Sequence, residues 1–194
     1  MEALNQNIFQ TIGTISDEMG IECFVVGGWV RDQFLNGEKS TDIDIVAVGD
    51  ALSLAKKSSK RLEGGKVSIF KKFGTAHFKY GNIDIEFVRA RSESYSSESR
   101  KPHVKEGSLQ EDQLRRDFTI NSLALSLNSK TWGLLIDPFH GLEDLKNKII
   151  RTPLEPKKTF ADDPLRMLRA IRFATQLNFK IEETTFEGIR ESVN

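Results

Sequence analysis

Apolar positions recur at helical spacing from the start of the chain, where Ile8, Ile12, Ile15 and Met19 predict an amphipathic helix over residues 4–19. Gly20 closes it, and the apolar run within Glu22–Val26 predicts a strand. Trp29–Leu35 predicts a short helix stopped by Asn36-Gly37. The period then drops to two: across Thr41–Val48, Ile43, Ile45 and Ala47 fall on one face, and Asp42, Asp44 and Val46 on the other. Asp50 predicts the cap of a helix over residues 50–62. Three more strands follow at Lys66–Phe70, Thr75–Tyr80 and Asn82–Ala90, the last two joined by a tight turn at Tyr80-Gly81-Asn82.

The pattern breaks at Arg91–Gln110, whose Ser, Glu, Lys and Gly content predicts a long polar loop. Loops of that length are uncommon in compact domains and are usually functional or disordered. Residues 111–127 return to helix and then an apolar run, and Gly133–Ile136 predicts a short strand. Beyond residue 150 the character is helical. Leu165, Leu168, Ile171 and Phe173 mark one face of a helix that starts near Asp162/Asp163 with Pro164 in its first turn, and a last helix runs from near Glu182 to Asn194. The expected architecture is α/β: a small mixed sheet of about five strands flanked by helices over residues 1–150. The start of an all-helical neck follows over residues 151–194, read as the front part of a longer protein.

Composition narrows the function classes only a little. Lys+Arg and Asp+Glu are both 28, so no global charge announces a nucleic-acid partner. Local basic stretches survive, one from Lys56 and Lys57 to Lys71 and Lys72, another at Arg166, Arg169 and Arg172; each reads first as a solvated face. The single Cys23 excludes an internal disulfide and a cysteine zinc cage, and its apolar neighbours predict burial. No basic start followed by an apolar run is present, and no segment reaches the ~20 apolar residues of a membrane span, which predicts a cytoplasmic protein without a membrane partner. His77, His103 and His140 are scattered without ligand spacing, and neither Thr119 nor Ser122 has a base pattern that would make it a nucleophile.

The chemistry lies in Asp42 and Asp44. On a strand, residues i and i+2 point the same way, so the two carboxylates stand side by side and repel when ionised. A divalent cation relieves that repulsion, and Mg²⁺ prefers carboxylate plus phosphate oxygens. Asp84 and Glu86 repeat the spacing and compete for the place of a third carboxylate. Alone, an Asp-x-Asp can equally be a solvated strand edge. Gly27-Gly28 changes the balance, because glycine allows close backbone approach and the helix that follows aims free N–H groups at an anion. Arg31 adds a charge-assisted contact to phosphate, and Asp32 fixes local structure.

The ordered motifs Gly-Gly-Trp-Val-Arg-Asp (27–32), Asp-Ile-Asp (42–44) and Arg-Arg-Asp-Phe-Thr-Ile-Asn (115–121) resemble those of the class II tRNA nucleotidyltransferases, the CCA-adding enzymes. They also resemble those of the bacterial poly(A) polymerases, which share the polymerase-β-like nucleotidyltransferase fold, although the Arg91–Gln110 loop and the sequence His77–Arg91 look more like the CCA-adding side. The resemblance implies that Gly27, Gly28 and Arg31 bind triphosphate, and that Asp42 and Asp44 hold two Mg²⁺ ions, with Glu86 as third catalytic carboxylate. It further assigns the ribose and nucleotide to Arg116, Asp117 and Asn121, and Asp137-Pro138 with Gly141 to the joint between head and neck. Asp162-Asp163-Pro164-Leu165-Arg166 resembles the family's base-reading motif with Asp for its leading Glu. Asp163 and Arg166 lie at i and i+3 on one helical face, where a carboxylate and a guanidinium can present a base-like edge or simply pair with each other. Arg169, one turn on, could reach phosphate. Arg91, Glu93 and Tyr95 resemble the start of a loop found in members that add the terminal A. The implied reaction is template-independent addition of CCA to tRNA 3′ ends from CTP and ATP. The alternatives are a poly(A) polymerase acting on other RNA 3′ ends, a small-molecule nucleotidyltransferase, and a silent RNA- or nucleotide-binding module.

Overall fold

The computed structural model describes residues 4, 6–35, 40–71, 74–96 and 99–192, with backbone alone for 92–96 and 99–105. The predicted stop at Asn36-Gly37 and Lys72 lie outside the described residues, as do the side chains of Glu93, Tyr95 and His103.

Helix α1 (Asn7–Met19) buries Ile8, Phe9, Ile12 and Ile15 and ends at Gly20 in the left-handed conformation, φ 66°. Strands β1 (Glu22–Val26) and β2 (Asp42–Val48) flank helix α2 (Gly28–Leu35). Helix α3 (Ala51–Leu62) is capped by the Asp50 carboxylate, which accepts from the Ser53 amide. Strands β3 (Ser68–Phe70), β4 (Thr75–Tyr80) and β5 (Ile83–Arg89) follow.

A β-hairpin of β6 (Arg91–Ser96) and β7 (Ser99–Glu106) occupies most of the segment expected to be a polar loop. The expectation failed because a ribbon of polar residues carries no apolar alternation to betray its period. Helix α4 (Leu109–Leu114) then opens on a capping box between Ser108 and Glu111. Strands β8 (Ala124–Ser126) and β9 (Leu135–Ile136) complete a mixed sheet of order β3-β4-β5-β2-β1-β8-β9, two strands wider than expected.

One face of this sheet carries the main core. Ile43, Ile45, Ala47, Phe78, Ile85 and Phe87 pack there with the apolar sides of α1 and α3. The opposite face has a smaller cluster of Phe24, Val26, Val46, Ala90 and Ala124. Asp42 and Asp44 share that second face with Val46, as the strand period requires.

The C-terminal portion contains α5 (Gly141–Asn147), β10 (Ile149–Ile150), α6 (Pro156–Asp162), α7 (Leu165–Leu177), β11 (Lys180–Ile181) and α8 (Glu183–Ser192). Its core of Ile150, Phe160, Ala170, Phe173, Phe179 and Ile189 also takes in Phe118 and Ile120. A parallel pairing of Ile149 and Ile150 with Lys180 and Ile181 adds a second tie. Extended backbone at Asp163 (φ −151°) separates α6 from α7, so the helix start expected there is a junction between two helices. On α7 only Phe173 of the expected apolar face is buried. Leu165, Leu168 and Ile171 are 64%, 65% and 52% exposed. Among the described residues no helix is long and apolar enough to cross a membrane.

Candidate active site

Strand register builds the acidic part of the site. β2 and β5 are parallel, with Asp42 opposite Asp84 and Asp44 opposite Glu86, so all four acids face the same side. β4 pairs antiparallel on the far side of β5, setting His77 opposite Glu86 and Lys79 opposite Asp84. The two competing acids of β5 thereby part ways. The Asp84 carboxylate is taken up by His77 Nε2 at 2.7 Å and Lys79 Nζ at 3.2 Å, which hold its pKa below the ordinary carboxylate range. Partial desolvation, and after it the Asp44 charge, raises the pKa of Glu86.

Asp44 is the electrostatic centre. Burial pushes its pKa up, the Arg116 guanidinium pulls it down, and Asp42 and then Asp112 push it up again, for a net rise. Grouped acids that resist ionisation are a donor set that a divalent cation would relieve. Among the described residues no group of three or more His, Cys, Asp or Glu side chains is assembled as a complete metal cage. Mg²⁺ is commonly held by one or two carboxylates together with substrate phosphates, and that is what Asp42 and Asp44 offer.

The Gly27-Gly28 turn closes over Asp44. Gly27 has φ 73°, and a Cβ there would lie 3.2 Å from Arg116 Nη1 and 3.3 Å from Asp44 Oδ2. Glycine is therefore required twice, by the backbone conformation and by the close approach. Helix α2, with its free first-turn amides, begins directly after this close approach to Asp44.

Behind it lies a continuous polar chain. Buried Arg31 donates to Asp32 Oδ1 at 2.7 Å and to Asn121 Oδ1 at 2.9 Å. Asn121 Nδ2 donates to Asp117 Oδ1 at 3.0 Å, and Asp117 Oδ2 receives Arg169 Nε at 2.7 Å. The guanidiniums of Arg31, Arg169 and Arg172 lie 5.3, 5.3 and 4.8 Å from the Phe173 ring centroid. Arg169, expected as a phosphate contact, pairs with Asp117 and so joins α7 to the segment 115–122. Asp117 and Asn121, expected at the ribose, are the middle links of the chain.

Asp163 and Arg166 are together, with Arg166 Nε 4.0 Å from Asp163 Oδ2. Asp163 Oδ1 accepts from the Leu165 amide at 3.0 Å, capping α7, and Arg166 Nη2 donates to the Arg115 carbonyl at 2.6 Å. That last bond docks the start of α7 onto the segment that carries Arg116 and Asp117.

One structural residue escaped the sequence reading. Asp112 is fully buried, bonded to Arg115, and accepts from Arg116 Nε and Nη2 at 3.3 and 3.2 Å. It fixes the guanidinium whose charge acts on Asp44. Its signal was present in the i+3 and i+4 spacing of Asp112 to Arg115 and Arg116.

Comparison with known proteins agrees with this geometry. Residues 23–151 match the family described as the Poly A polymerase head domain. The chain is 47% identical over 174 residues to the A-adding tRNA nucleotidyltransferase of Aquifex aeolicus (strain VF5), covering 90% of this chain and 21% of that protein. It is 39% identical over 178 residues to the CCA-adding enzyme of Lactobacillus helveticus (strain DPC 4571), covering 91% of this chain and 42% of that one. A tRNA nucleotidyltransferase solved in complex with a primer tRNA and an incoming ATP analog superposes with a TM-score of 0.82 at 44% identity, covering 94% of this chain and 50% of the other. The chain therefore spans half or less of each of these relatives. On its head-domain match, its identity to these enzymes and its shared fold, the chain belongs to the family of CCA-adding and poly(A) polymerase nucleotidyltransferases.

Proposed function

We propose that this chain carries the catalytic head and base-selecting start of the neck of an RNA nucleotidyltransferase that completes the CCA end of tRNA from CTP and ATP. The observation that carries the reading is the convergence of the Gly27 turn, the Asp44 carboxylate and the Arg116 guanidinium within 3.3 Å of one point. The family membership supports it.

In this reading the amides after Gly27 and Gly28, with Arg31 and Arg116, hold the triphosphate. Asp117 and Asn121 form the wall beside the ribose. Asp163 and Arg166 present an acceptor and donors to the edge of C or A. The terminal hydroxyl of the RNA attacks the α-phosphorus, one P–O bond forms as the α–β bridge breaks, and pyrophosphate leaves. Mg²⁺ (two ions expected), held by Asp42 and Asp44 with Glu86 beside them, would activate the attacking hydroxyl and neutralise the leaving pyrophosphate. The protein's task is positioning and fixed charge.

A second reading is addition of the terminal A alone, favoured by the 47% identity to an A-adding relative. One assay separates the two, using the intact protein, Mg²⁺ and a tRNA lacking its 3′ CCA. CCA addition gives two-nucleotide extension with CTP alone and three with both nucleotides. A-only addition leaves that substrate untouched and extends one ending in CC. Long adenylate tails on unrelated RNA would replace both readings with poly(A) polymerase, and no incorporation on any RNA would overturn nucleotidyl transfer itself.

A further inference from the structure

We propose that the outer face of β3 and β4 is the track for the acceptor RNA strand, with the Lys79 ammonium on a backbone phosphate and the Phe70 ring under a base. The inference rests on the nucleotidyl-transfer reading above. In phosphoryl transfer the attacking and leaving oxygens stand roughly in line across phosphorus. The sheet order fixes which side each occupies. The Gly27 turn ends β1, on one flank of β2, so the triphosphate lies there; β5 is the other flank, and the hydroxyl must enter from it.

Moving outward from Glu86 on the same face, the next side chains are Thr75, His77 and Lys79 on β4, then Ser68 and Phe70 on β3. Two of these have the chemistry of single-strand recognition, a cation for the backbone and an aromatic face for a base. Lys79 is 67% exposed and gives one N–H to Asp84 at 3.2 Å, leaving two for a ligand. Phe70 is 53% exposed on the sheet's edge strand, although the neighbouring Ile69 and its partner Ala76 on β4 pack into the core. Asp84 is then a positioning residue, since both of its oxygens are engaged by His77 and Lys79. A carboxylate committed to steering Lys79 explains why β5 carries two acids and only Glu86 is left for the catalytic pair.

The test uses the intact protein with two substrates, a tRNA lacking its CCA end and one ending in CC, measuring kcat, the KM for RNA and the KM for nucleotide on whichever is extended. Lys79→Gln and Phe70→Ala should each raise the RNA KM about tenfold, with the nucleotide KM unchanged. Lys79→Gln should also flatten the dependence of log binding on log salt by about 0.7, which a merely structural lysine would not do. Lys57→Gln, an exposed lysine of α3 across the sheet, serves as control and should change nothing. Asp84→Asn should raise the RNA KM with kcat largely kept. An RNA KM unmoved in both Lys79→Gln and Phe70→Ala, while the unaltered protein still incorporates nucleotide, would overturn the track and leave the reaction standing. Collapse of kcat in Asp84→Asn would overturn it too, returning Asp84 to the catalytic acids. Failure of the unaltered protein to incorporate any nucleotide would remove the underlying reading and the track together.

Discussion

The two halves of the site are held by different forces. Asp44 and Glu86 sit on strands whose reverse side is the main core, with Gly27 on the turn that ends β1, and the placement of the two acids follows from β-register. Asp163, Arg166 and Arg169 sit at the start of α7, joined to the head by two polar links, Arg166 to the Arg115 carbonyl and Arg169 to Asp117. A rigid sheet suits chemistry that tolerates no misplacement of the reacting atoms. Helix α7 is held by the aromatic core around Phe118 and Phe173, while its first turn meets the rest through those two polar links, an arrangement that suits the proposed selection between C and A. The contrast predicts that damage to the head removes reaction and damage to the neck removes choice.

The largest expected effect is Asp44→Ala, which should lower nucleotide incorporation on the order of 10³-fold or more while thermal unfolding stays near that of the unaltered protein. Retained incorporation would break the contrast at its base. Gly27→Ala comes next: the methyl group meets Arg116 and Asp44 and forces a left-handed conformation, costing about 1–2 kcal/mol and displacing the turn. Incorporation should fall by more than stability does. Arg166→Ala should spare most of the rate and weaken preference for CTP and ATP over GTP and UTP by about 10- to 100-fold, measured as ratios of kcat/KM. Equal losses for all four nucleotides would assign Arg166 a purely structural task.

The smallest effect concerns the far end of the neck. Burial pushes the Glu182 carboxyl up, but hydrogen bonds from Thr184 and Thr185 outweigh it and hold the pKa below its ordinary 4.5. A group depressed in the folded state stabilises above its unfolded pKa and loses that contribution as pH falls through the folded value. Glu182→Gln should therefore cost about 1 kcal/mol at neutral pH, and the gap between the two proteins should close on acidification below 4.5, as followed by denaturant unfolding.

How far the sequence led depended on whether a residue's fate was decided locally. Asp42 and Asp44 were legible because a strand's period of two needs no partner to be seen. Asp50 and Gly20 were legible as helix boundaries for the same reason. The different surroundings of Asp84 and Glu86 were not, since Asp84 is paired with His77 and Lys79 on a neighbouring strand whose register only the folded sheet reveals. The stripe Leu165, Leu168 and Ile171 was legible as one face of a helix, but its exposure was not, because helical spacing marks a face without saying what lies against it. The pairing of Arg169 with Asp117 was not legible either, because the two lie 52 residues apart and meet only in the folded chain.

One segment ties the halves together more closely than any pair of bonds. Between Arg115 and Ser122, alternate side chains serve opposite masters: Asp117 and Asn121 join the polar chain behind the glycine turn, while Phe118 and Ile120 are embedded in the core of the helical part. A chimera that joins this head to a foreign neck at residue 150 would leave those two apolar side chains facing a mould cut for others. Successful grafts must carry residues 115–122 along with the neck, and nucleotide preference will travel with that cassette.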